Sequence, residues 1–142
     1  MITSFDQLDL DKQYSYQDYC SWQFEDRVEL HRGYVVRLFP GPNRRHQAIS
    51  GRIHAKLFNF LDSSDTCEVY SAPFDVRLST GAAAGDTVVQ PDLCVICDPE
   101  KLTVQGCTGA PDIIVEILAP SNIKNDLRDK FSLYEAAGVP EY

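Results

Sequence analysis

The stretch VVQPDLCVI, residues 88–96, places an acidic side chain, Asp92, within a run of branched apolar residues. The stretch DIIVEIL, residues 112–118, does the same with Glu116. Apolar runs of this length predict strands buried in a sheet, and we expect one over residues 87–96 and another over 112–118. Because a buried carboxylate costs free energy unless a partner offsets its charge, both acidic residues are candidates for a functional site.

The two carboxylates predict a metal site. If their strands are adjacent and in register, Asp92 and Glu116 meet at one end of the sheet, where they repel each other unless a cation binds. Hard oxygen ligands of this kind suit Mg²⁺ or Mn²⁺. Asp112 is a poorer partner, because it lies four residues from Glu116 on the same strand, about 13 Å away. Two simpler interpretations stay open: Asp92 forms a Pro-Asp turn at a strand start, and Glu116 faces solvent on an edge strand.

A β-hairpin and a helix are predicted before these strands. The segment RVELHRGYVVRLF, residues 27–39, has two β-rich arms around Arg32-Gly33, where glycine supplies a permissive turn conformation. A helix follows over about residues 44–61, and its apolar residues recur at helical spacing. This stripe consists of His46, Ile49, Ile53, Leu57 and Phe60. Shorter strands are predicted in CEVYSA, residues 67–72, and FDVRLS, residues 74–79.

A second long helix is predicted over about residues 122–137. Ser121 is its expected N-cap, and Gly138 followed by Pro140 marks its end. Its buried stripe is expected to consist of Ile123, Leu127, Phe131 and Tyr134. The order of hairpin, helix, three or four strands and helix predicts an α/β sandwich around a mixed sheet, in a single domain over residues 1–142. Because such a helix normally returns a strand to the sheet, we expect a truncated domain that lacks its C-terminal strand.

The charge of the chain limits what it can bind. A net charge of −8 counts against a general nucleic-acid-binding protein, unless its cations are concentrated on one face. Arg45, Arg52 and Lys56 are spaced seven and four residues apart along the first helix and could hold a DNA backbone. A stripe of this kind is more often a solvated surface.

The cysteines and the lack of long apolar runs bear on location. Five scattered cysteines are an odd number, which predicts reduced thiols. Cys94 and Cys97 form a C-x-x-C pair, but on a strand they point to opposite faces, so we interpret them as small buried hydrophobic residues. No apolar run approaches the roughly 18 residues that a membrane span needs, and the polar, acidic N-terminus is unlike a signal peptide. We therefore expect a cytoplasmic protein without a membrane partner.

Four segments of the chain carry a resemblance to one protein family. They are VELHRGYVVRLFPGPNRRHQAISGRI (residues 28–53), VVQPDLCVI (88–96), PDIIVEILAPSN (111–122) and DLRDKFSLYEAAGVPEY (126–142). The chain resembles the Uma family of restriction endonucleases, in the PD-(D/E)xK nuclease superfamily, from about Tyr16 to its last residue. The resemblance implies a restriction endonuclease-like sandwich, with a mixed central sheet flanked by helices and an N-terminal β-hairpin. It also implies a Mg²⁺- or Mn²⁺-dependent endonuclease that hydrolyses phosphodiester bonds in DNA.

The same resemblance implies roles for individual residues. Asp92 and Glu116 would be metal ligands, with the backbone carbonyl of Ile117 as a third. The superfamily has a lysine at the position of Leu118, and the lysine that matches in this family is Lys130 on the following helix. Lys130 would orient or deprotonate the attacking water and offset negative charge in the transition state.

Two further positions match the family, and each keeps a simpler alternative. Glu29 matches an early glutamate that adds a carboxylate to the metal shell, although a hairpin surface explains it equally well. His46 matches a histidine just inside the first helix, although a histidine on an apolar stripe is more often a core residue. Lys130 would ordinarily belong to a solvated helix face, and Lys124 is the rival lysine.

A second functional class stays open beside the nuclease. A catalytically silent nuclease-fold module, which binds DNA or a protein partner, is modestly favoured by Leu118 and by the acidic net charge. Because relatives in the superfamily often pair to cut both strands, a homodimer is expected by analogy.

Overall fold

The computed structural model of this protein describes residues 1–38, 43–81, 83–119 and 126–142. Its α-helices are α1 (Tyr16–Ser21), α2 (Arg44–Leu61) and α3 (Phe131–Ala137). Its strands are β1 (Val28–His31), β2 (Tyr34–Arg37), β3 (Glu68–Ser71), β4 (Asp75–Leu78), β5 (Thr87–Val89), β6 (Leu93–Ile96), β7 (Gly106–Thr108) and β8 (Ile113–Val115). Short 3₁₀ helices lie at Phe5–Gln7 and Pro99–Lys101, and a π-helical turn, Asp126–Lys130, leads into α3.

The strands form two sheets. In the larger sheet the order is β2-β1-β5-β4-β7, and β4 and β7 are parallel while all other neighbours are antiparallel. The smaller sheet, β3-β6-β8, is antiparallel throughout. This arrangement confirms the predicted α/β class, with a mixed sheet, helices and an N-terminal hairpin. Within the described residues six strands follow α2, rather than the three or four expected.

Two hydrophobic clusters hold these elements together. One joins both sheets to α3, and its buried members include Val76, Val89, Ile96, Ile114 and Leu133. The other joins the hairpin to the N-terminal segment, and its buried members include Leu8, Tyr14, Leu30 and Val88. The hairpin, the central strands and α3 are therefore fixed relative to one another, which matters because each contributes a side chain to the candidate active site.

The hairpin turn has the predicted location. Arg32 and Gly33 connect β1 to β2 with φ angles of 52° and 87°. Two consecutive residues with positive φ are what a two-residue type I′ turn requires, and its twist matches that of the flanking strands. The turn aligns β1 and β2 so that Glu29 pairs with Val36 in the middle of the ladder.

The predicted strand over residues 87–96 is wrong as a single element. It is two strands, β5 and β6, which belong to different sheets and are separated by Gln90, Pro91 and Asp92. Proline has no N–H to donate to a ladder, so Pro91 ends one pairing and lets the chain cross to the other sheet. As a result, β5 lies beside the hairpin while Asp92 stands at the start of β6.

Helix α2 has the predicted bounds, but its stripe is only partly covered. Asn43 caps the helix by accepting a hydrogen bond from the N–H of His46 at 3.1 Å. The stripe residues His46, Ile49, Ile53 and Leu57 are half-buried, whereas Phe60 is 81% exposed, so the prediction is wrong at Phe60. Helix α2 contacts β3, a single strand at the edge of the smaller sheet, which leaves much of the helix exposed.

The last helix also departs from its predicted pattern. Ser121, Ile123 and the side chain of Leu127 lie outside the described part of the chain. Phe131, expected in the buried stripe, is 51% exposed, while Lys130 and Leu133 are buried together with Tyr134. The π-helical turn before α3 has i→i+5 hydrogen bonds and therefore more residues per turn than an α-helix, which rotates the buried face away from the position that α-helical spacing predicts.

The expectation of reduced thiols is wrong at two of the five cysteines. Cys67 and Cys97 form a disulfide. The register of β3 and β6 pairs Glu68 with Ile96, and the two cysteines are the next residues along that ladder. Thirty residues separate them in the sequence, so the C-x-x-C spacing was no guide to the pairing. Cys94, the other half of that motif, is buried as predicted.

The chain after α3 returns to the smaller sheet. Glu141 forms a parallel bridge with Ile113, and the N–H of Ile114 donates to the carbonyl of Glu141 at 3.0 Å. In the described ranges no helix is both long and apolar enough to cross a membrane.

Gly106 is a position where we expect any side chain to destabilise the fold. A Cβ there would lie 1.9 Å from the backbone carbonyl oxygen of Asp75, since β7 runs directly beside β4. We expect Gly106→Ala to lower the free energy of unfolding by at least about 2 kcal/mol, measured by urea denaturation. Gly51→Ala is the matched control, because a Cβ at this helical position meets nothing within 4 Å. It should raise stability by about 0.5–1 kcal/mol. Equal effects of the two substitutions would contradict this packing.

Candidate active site

A buried ammonium group lies at the centre of the candidate site. Lys130, at the end of the π-helical turn, is 5% exposed. Its Nζ donates to Glu116 Oε1 at 2.9 Å and to Glu29 Oε1 at 3.1 Å. Lys130 therefore joins the last helical segment to β1 and to the end of β8, and the alternative of a solvated lysine is wrong. Lys124, the rival lysine, lies outside the described residues.

Glu29 is completely buried and remains ionised. Its Oε1 also accepts from the backbone N–H of Gln90 at 2.8 Å, and its Oε2 lies 2.7 Å from His31 Nε2. Burial raises the pKa of Glu29, but the hydrogen bond to His31 and the charge of Lys130 outweigh it and lower the pKa to about 2. The alternative of a hairpin-surface glutamate is therefore wrong, because Glu29 faces the interior of the protein.

Glu116 has fewer donors and a different charge state. Its Oε1 accepts from both Lys130 and the hydroxyl of Tyr134, the latter at 2.5 Å. Burial raises the pKa of Glu116 to about 7, because the charge of Lys130 only partly offsets the loss of hydration and Glu29 adds a second negative charge nearby. Two buried carboxylates sharing one ammonium thus differ in protonation, and Glu116 holds a proton into the neutral range.

Lys130 stays charged between these carboxylates. Burial lowers the pKa of its ammonium, but the negative charges of Glu29 and Glu116 outweigh burial and raise the pKa above its ordinary value. The amine is therefore an electrostatic and hydrogen-bond donor at neutral pH, rather than a base that removes a proton.

Asp92 stands at the start of β6, next to Glu116. The ladder of β6 and β8 pairs Leu93 with Val115, so one further residue along it sets Asp92 opposite Glu116 on the same face. Residues directly opposite in an antiparallel pair have Cβ atoms about 5 Å apart. The Oδ2 of Asp92 accepts from the N–H of Ile117 at 2.7 Å, which ties the end of β6 to the segment after β8.

His46 connects α2 to this carboxylate. Its Nε2 lies 3.0 Å from Asp92 Oδ1, and the N-cap at Asn43 fixes the first turn of the helix that carries it. The ring is half-buried and contacts an acidic side chain, so the alternative of a core histidine is wrong.

The acidic residues can hold a small hard cation. Among the described residues, no three side chains of His, Cys, Asp or Glu cluster as a complete protein-made metal site. Asp92 and Glu116 lie on adjacent strand ends, and Mg²⁺ is usually bound by one or two carboxylates while it keeps several waters. The pair therefore fits Mg²⁺ or Mn²⁺ better than a metal that needs four protein ligands. Asp112, which the sequence argument set aside, instead accepts from the N–H of Cys97 at 2.7 Å at the other end of the ladder.

A groove opens beside Asp92, between α2 and the smaller sheet. It has a volume of about 670 Å³. We call it the α2 groove, and its lining includes Arg27, His46, His54, Phe58, Ser71 and Asp92. The candidate metal ligand Asp92 is therefore reached from a concave surface.

The basic stripe lies elsewhere on α2. Arg45, Arg52 and Lys56 are all exposed, and none of them lines the α2 groove. At about 100° per residue, the three side chains lie on the flank of the helix nearly opposite the groove. The structure thus does not bring them to the candidate site.

Three residues of the site were missed by the sequence argument. Tyr134 donates to Glu116, His31 contacts Glu29, and Gln90 donates its N–H to Glu29. For two of them, the spacing in the sequence indicates proximity to a site residue. Tyr134 is four residues after Lys130 on a helix, and His31 is two residues after Glu29 on a strand, so each pair shares a face. Gln90 acts through its backbone, for which the side-chain pattern holds no signal.

Comparison with known proteins places this arrangement in a family. A family model, Uma2, described as "Putative restriction endonuclease", matches residues 15–142. An uncharacterised protein of Synechocystis sp. (strain ATCC 27184 / PCC 6803 / Kazusa), slr1290, is 28% identical over 120 residues, which cover 83% of this chain and 60% of that protein. The chain therefore spans about 60% of the length of this curated relative.

A solved structure shares the fold. The crystal structure of a protein from Anabaena variabilis, described as a "putative nuclease belonging to DUF820", has a TM-score of 0.54 and 19% sequence identity. The match covers 72% of this chain and 59% of the other. This likeness concerns the fold alone, and it confirms the restriction endonuclease-like architecture expected from the sequence.

Replacing Glu116 by glutamine tests the cost of burying the second carboxylate. Because the pKa of Glu116 rises from 4.5 to about 7 on folding, the folded protein retains a proton that the unfolded chain releases. The stability of the wild type therefore falls as the pH rises through this window, whereas Glu116→Gln has no such proton to lose. We compare the melting temperature of the variant minus that of the wild type at two pH values in metal-free buffer. We expect this difference to be larger at about pH 8 than at about pH 5, by on the order of 5 °C.

Glu135→Gln is the matched control for this measurement, because Glu135 lies on the exposed side of α3. Its melting temperature relative to wild type should not depend on pH. A difference for Glu116→Gln that stays flat or decreases with pH would show that Glu116 is ionised in the folded protein throughout.

Proposed function

This chain belongs to the Uma2 family, described as "Putative restriction endonuclease", and we propose that it is a Mg²⁺- or Mn²⁺-dependent DNA endonuclease that hydrolyses phosphodiester bonds. The observation that carries the proposal is the buried ammonium of Lys130, held between Glu29 and Glu116 beside the carboxylate of Asp92. Two acidic groups with a neighbouring fixed cation suit a reaction in which negative charge increases on a phosphate.

In the proposed site, Asp92 and Glu116 would hold the divalent cation. The carbonyl of Ile117 is a third ligand on the family resemblance, and the N–H of the same residue already bonds Asp92. The bound cation would supply Lewis acidity and lower the pKa of a coordinated water. The described residues that donate to Glu116, Lys130 and Tyr134, both use Oε1, which leaves Oε2 as the oxygen for a further ligand.

The remaining side chains position these ligands and offset charge. His46 holds Asp92 through Oδ1, and Tyr134 holds Glu116 through Oε1. Lys130 carries a positive charge, so we assign it the stabilisation of the transition state and the orientation of water rather than proton removal. Glu29 keeps that ammonium in place and is a positioning residue, since it is completely buried, whereas the side chain of Asp92 remains accessible at the α2 groove.

Three finer parts of the proposal rest on the sequence. Arg45, Arg52 and Lys56 would contact the backbone of DNA that lies outside the α2 groove, on the other flank of the helix. A homodimer is proposed by analogy with the superfamily, and a cytoplasmic location because DNA, the proposed substrate, lies inside the cell. Because the chain spans only part of its curated relative, the activity and substrate of the whole protein belong to the proposal as well.

A catalytically silent DNA- or protein-binding module is the competing function. Leu118 stands where the superfamily has its lysine, and its side chain is 42% exposed. In this alternative, Lys130 would serve only to compensate two buried carboxylates. Mg²⁺ binding and plasmid nicking separate the two alternatives.

Binding of Mg²⁺ should raise the thermal stability of the wild type and not of Asp92→Asn. A cation present at about 100 times its Kd adds about 2.7 kcal/mol of stability, which corresponds to several degrees for a chain of this size. Asp65→Asn, in the exposed loop after α2, is the control and should respond like wild type. The metal site would be excluded if wild type and Asp92→Asn gained the same stability.

Nicking of supercoiled plasmid tests the reaction itself. We expect wild type to nick in Mg²⁺ or Mn²⁺, and Glu116→Ala to be at least about 100-fold slower, because removing a metal ligand forfeits several kcal/mol of transition-state stabilisation. Glu135→Ala, purified in parallel, should keep the wild-type rate. If wild type and Glu116→Ala behave identically with both metals, the nuclease assignment fails.

A further inference from the structure

The α2 groove has features that the reaction centre does not need. It begins at His46 and Asp92 and extends along α2 to Phe58, a distance of about 18 Å at 1.5 Å per residue. Its volume of about 670 Å³ lies within the range of sites that enclose a single small organic group. A paired double helix is too wide to enter a space of this size between a helix and a strand.

The charge of the groove differs from that of the chain. The whole protein has a net charge of −8, yet Asp92 is the one acidic side chain among the described residues that line the groove. Arg27, His46 and His54 line it as well, and Arg27 is held by a 2.9 Å hydrogen bond from its Nε to Gln90. With both histidines neutral, Arg27 and Asp92 offset each other, so the groove has no net charge although the whole chain carries −8, and it repels an anionic chain less than the rest of the surface does.

The far end of the groove presents two nearly parallel aromatic rings. The rings of His54 and Phe58 stack with centroids 6.5 Å apart and an interplanar angle of 19°. Phe58 is 55% exposed, although a phenylalanine that only fills a core would be buried. His54 Nδ1 lies 2.6 Å from Ser71 Oγ, so the aromatic pair is anchored to β3 across the groove. Exposed aromatic rings in a groove are what unpaired bases stack on.

Amide side chains line the same wall. Gln47 and Asn59 lie along the groove, and each can both donate and accept hydrogen bonds. Such groups suit the edge of a base, which in a duplex is already engaged by its pairing partner.

We propose that the α2 groove binds an unpaired nucleotide of the substrate, with the base on His54 and Phe58 and the adjoining phosphate directed to Asp92. The substrate class is then single-stranded DNA, or duplex DNA opened at the cleavage point. This inference rests on the proposed function for its orientation, since the metal site defines which end of the groove meets the phosphate.

The structure offers a substitution that fills the groove without disturbing the fold. A Cβ on Gly51, in the middle of α2, meets nothing within 4 Å, and Gly51 itself lines the groove. Gly51→Leu therefore places a bulky side chain in open space, and leucine stabilises a helix interior relative to glycine. Gly51→Ala is its matched control, because it changes the helix propensity in the same direction but leaves the groove open.

Binding is measured by fluorescence anisotropy with Mg²⁺ present, in a Glu116→Gln background in which the proposed reaction is blocked. The probes are a labelled single-stranded oligodeoxynucleotide of about 12 nucleotides and the same sequence fully paired. We expect the single strand to bind at least about tenfold more tightly than the duplex.

Phe58→Ala and Gly51→Leu should each weaken binding of the single strand about tenfold, since stacking of a base on an aromatic ring contributes strongly to such complexes. Phe60→Ala, which removes an exposed ring outside the groove, and Gly51→Ala should stay within about twofold of the parent.

Three outcomes overturn the inference: a duplex bound at least as tightly as the single strand, equal effects of Phe58→Ala and Phe60→Ala, or no binding of either probe. Failure of this inference can be distinguished from failure of the nuclease assignment. Plasmid nicking that depends on Glu116 but is unchanged by Phe58→Ala and Gly51→Leu would support the nuclease activity and reject nucleotide binding in the α2 groove. Binding of the single strand that depends on Phe58, without hydrolysis in either metal, would support the groove and reject the nuclease.

Discussion

The structure of this protein depends on one buried ammonium group shared by two carboxylates. Lys130 reaches Glu29 on the hairpin and Glu116 at the end of β8, so three segments distant in the sequence converge on a single charge. Removing one partner of such a group leaves an uncompensated charge in the interior, which costs more than the intact arrangement gains. The hairpin, the smaller sheet and the last helix are therefore constrained to one mutual position, and the candidate site is formed by that constraint.

The two carboxylates around Lys130 have different environments and hence different uses. Glu29 accepts a hydrogen bond from a backbone N–H and contacts a histidine, and both interactions keep it ionised. Its role is to hold the ammonium of Lys130 in place. Glu116 has only Lys130 and Tyr134 as described donors, and burial raises its pKa to about 7. Glu116 is costly to ionise and lies opposite Asp92 on the next strand. A divalent cation bound there would stabilise its ionised form.

Local patterns were predicted well where a single element decides its own shape. The hairpin turn at Arg32-Gly33 and the bounds of α2 follow from turn chemistry and helical spacing, which act over a few residues. Predictions from the sequence failed where contacts with neighbouring elements determine the structure of a segment. The run over residues 87–96 has the composition of one strand, but Pro91 sends its halves to different sheets. Phe131 has the spacing of a core residue, but the π-helical turn before it rotates it outward.

Sequence patterns alone were enough to predict an α/β fold whose apolar runs carry Asp92 and Glu116, because hydrophobic periodicity and the cost of an isolated charge are properties of short segments. The groups that compensate those charges become evident only in the folded protein. Lys130 lies 101 residues after Glu29 and 14 after Glu116, Cys67 pairs with Cys97 across two strands, and Asp92 meets His46 from another element. Electrostatic and hydrogen-bond partners are set by distance in space, and distance in space is known only once the sheets have paired.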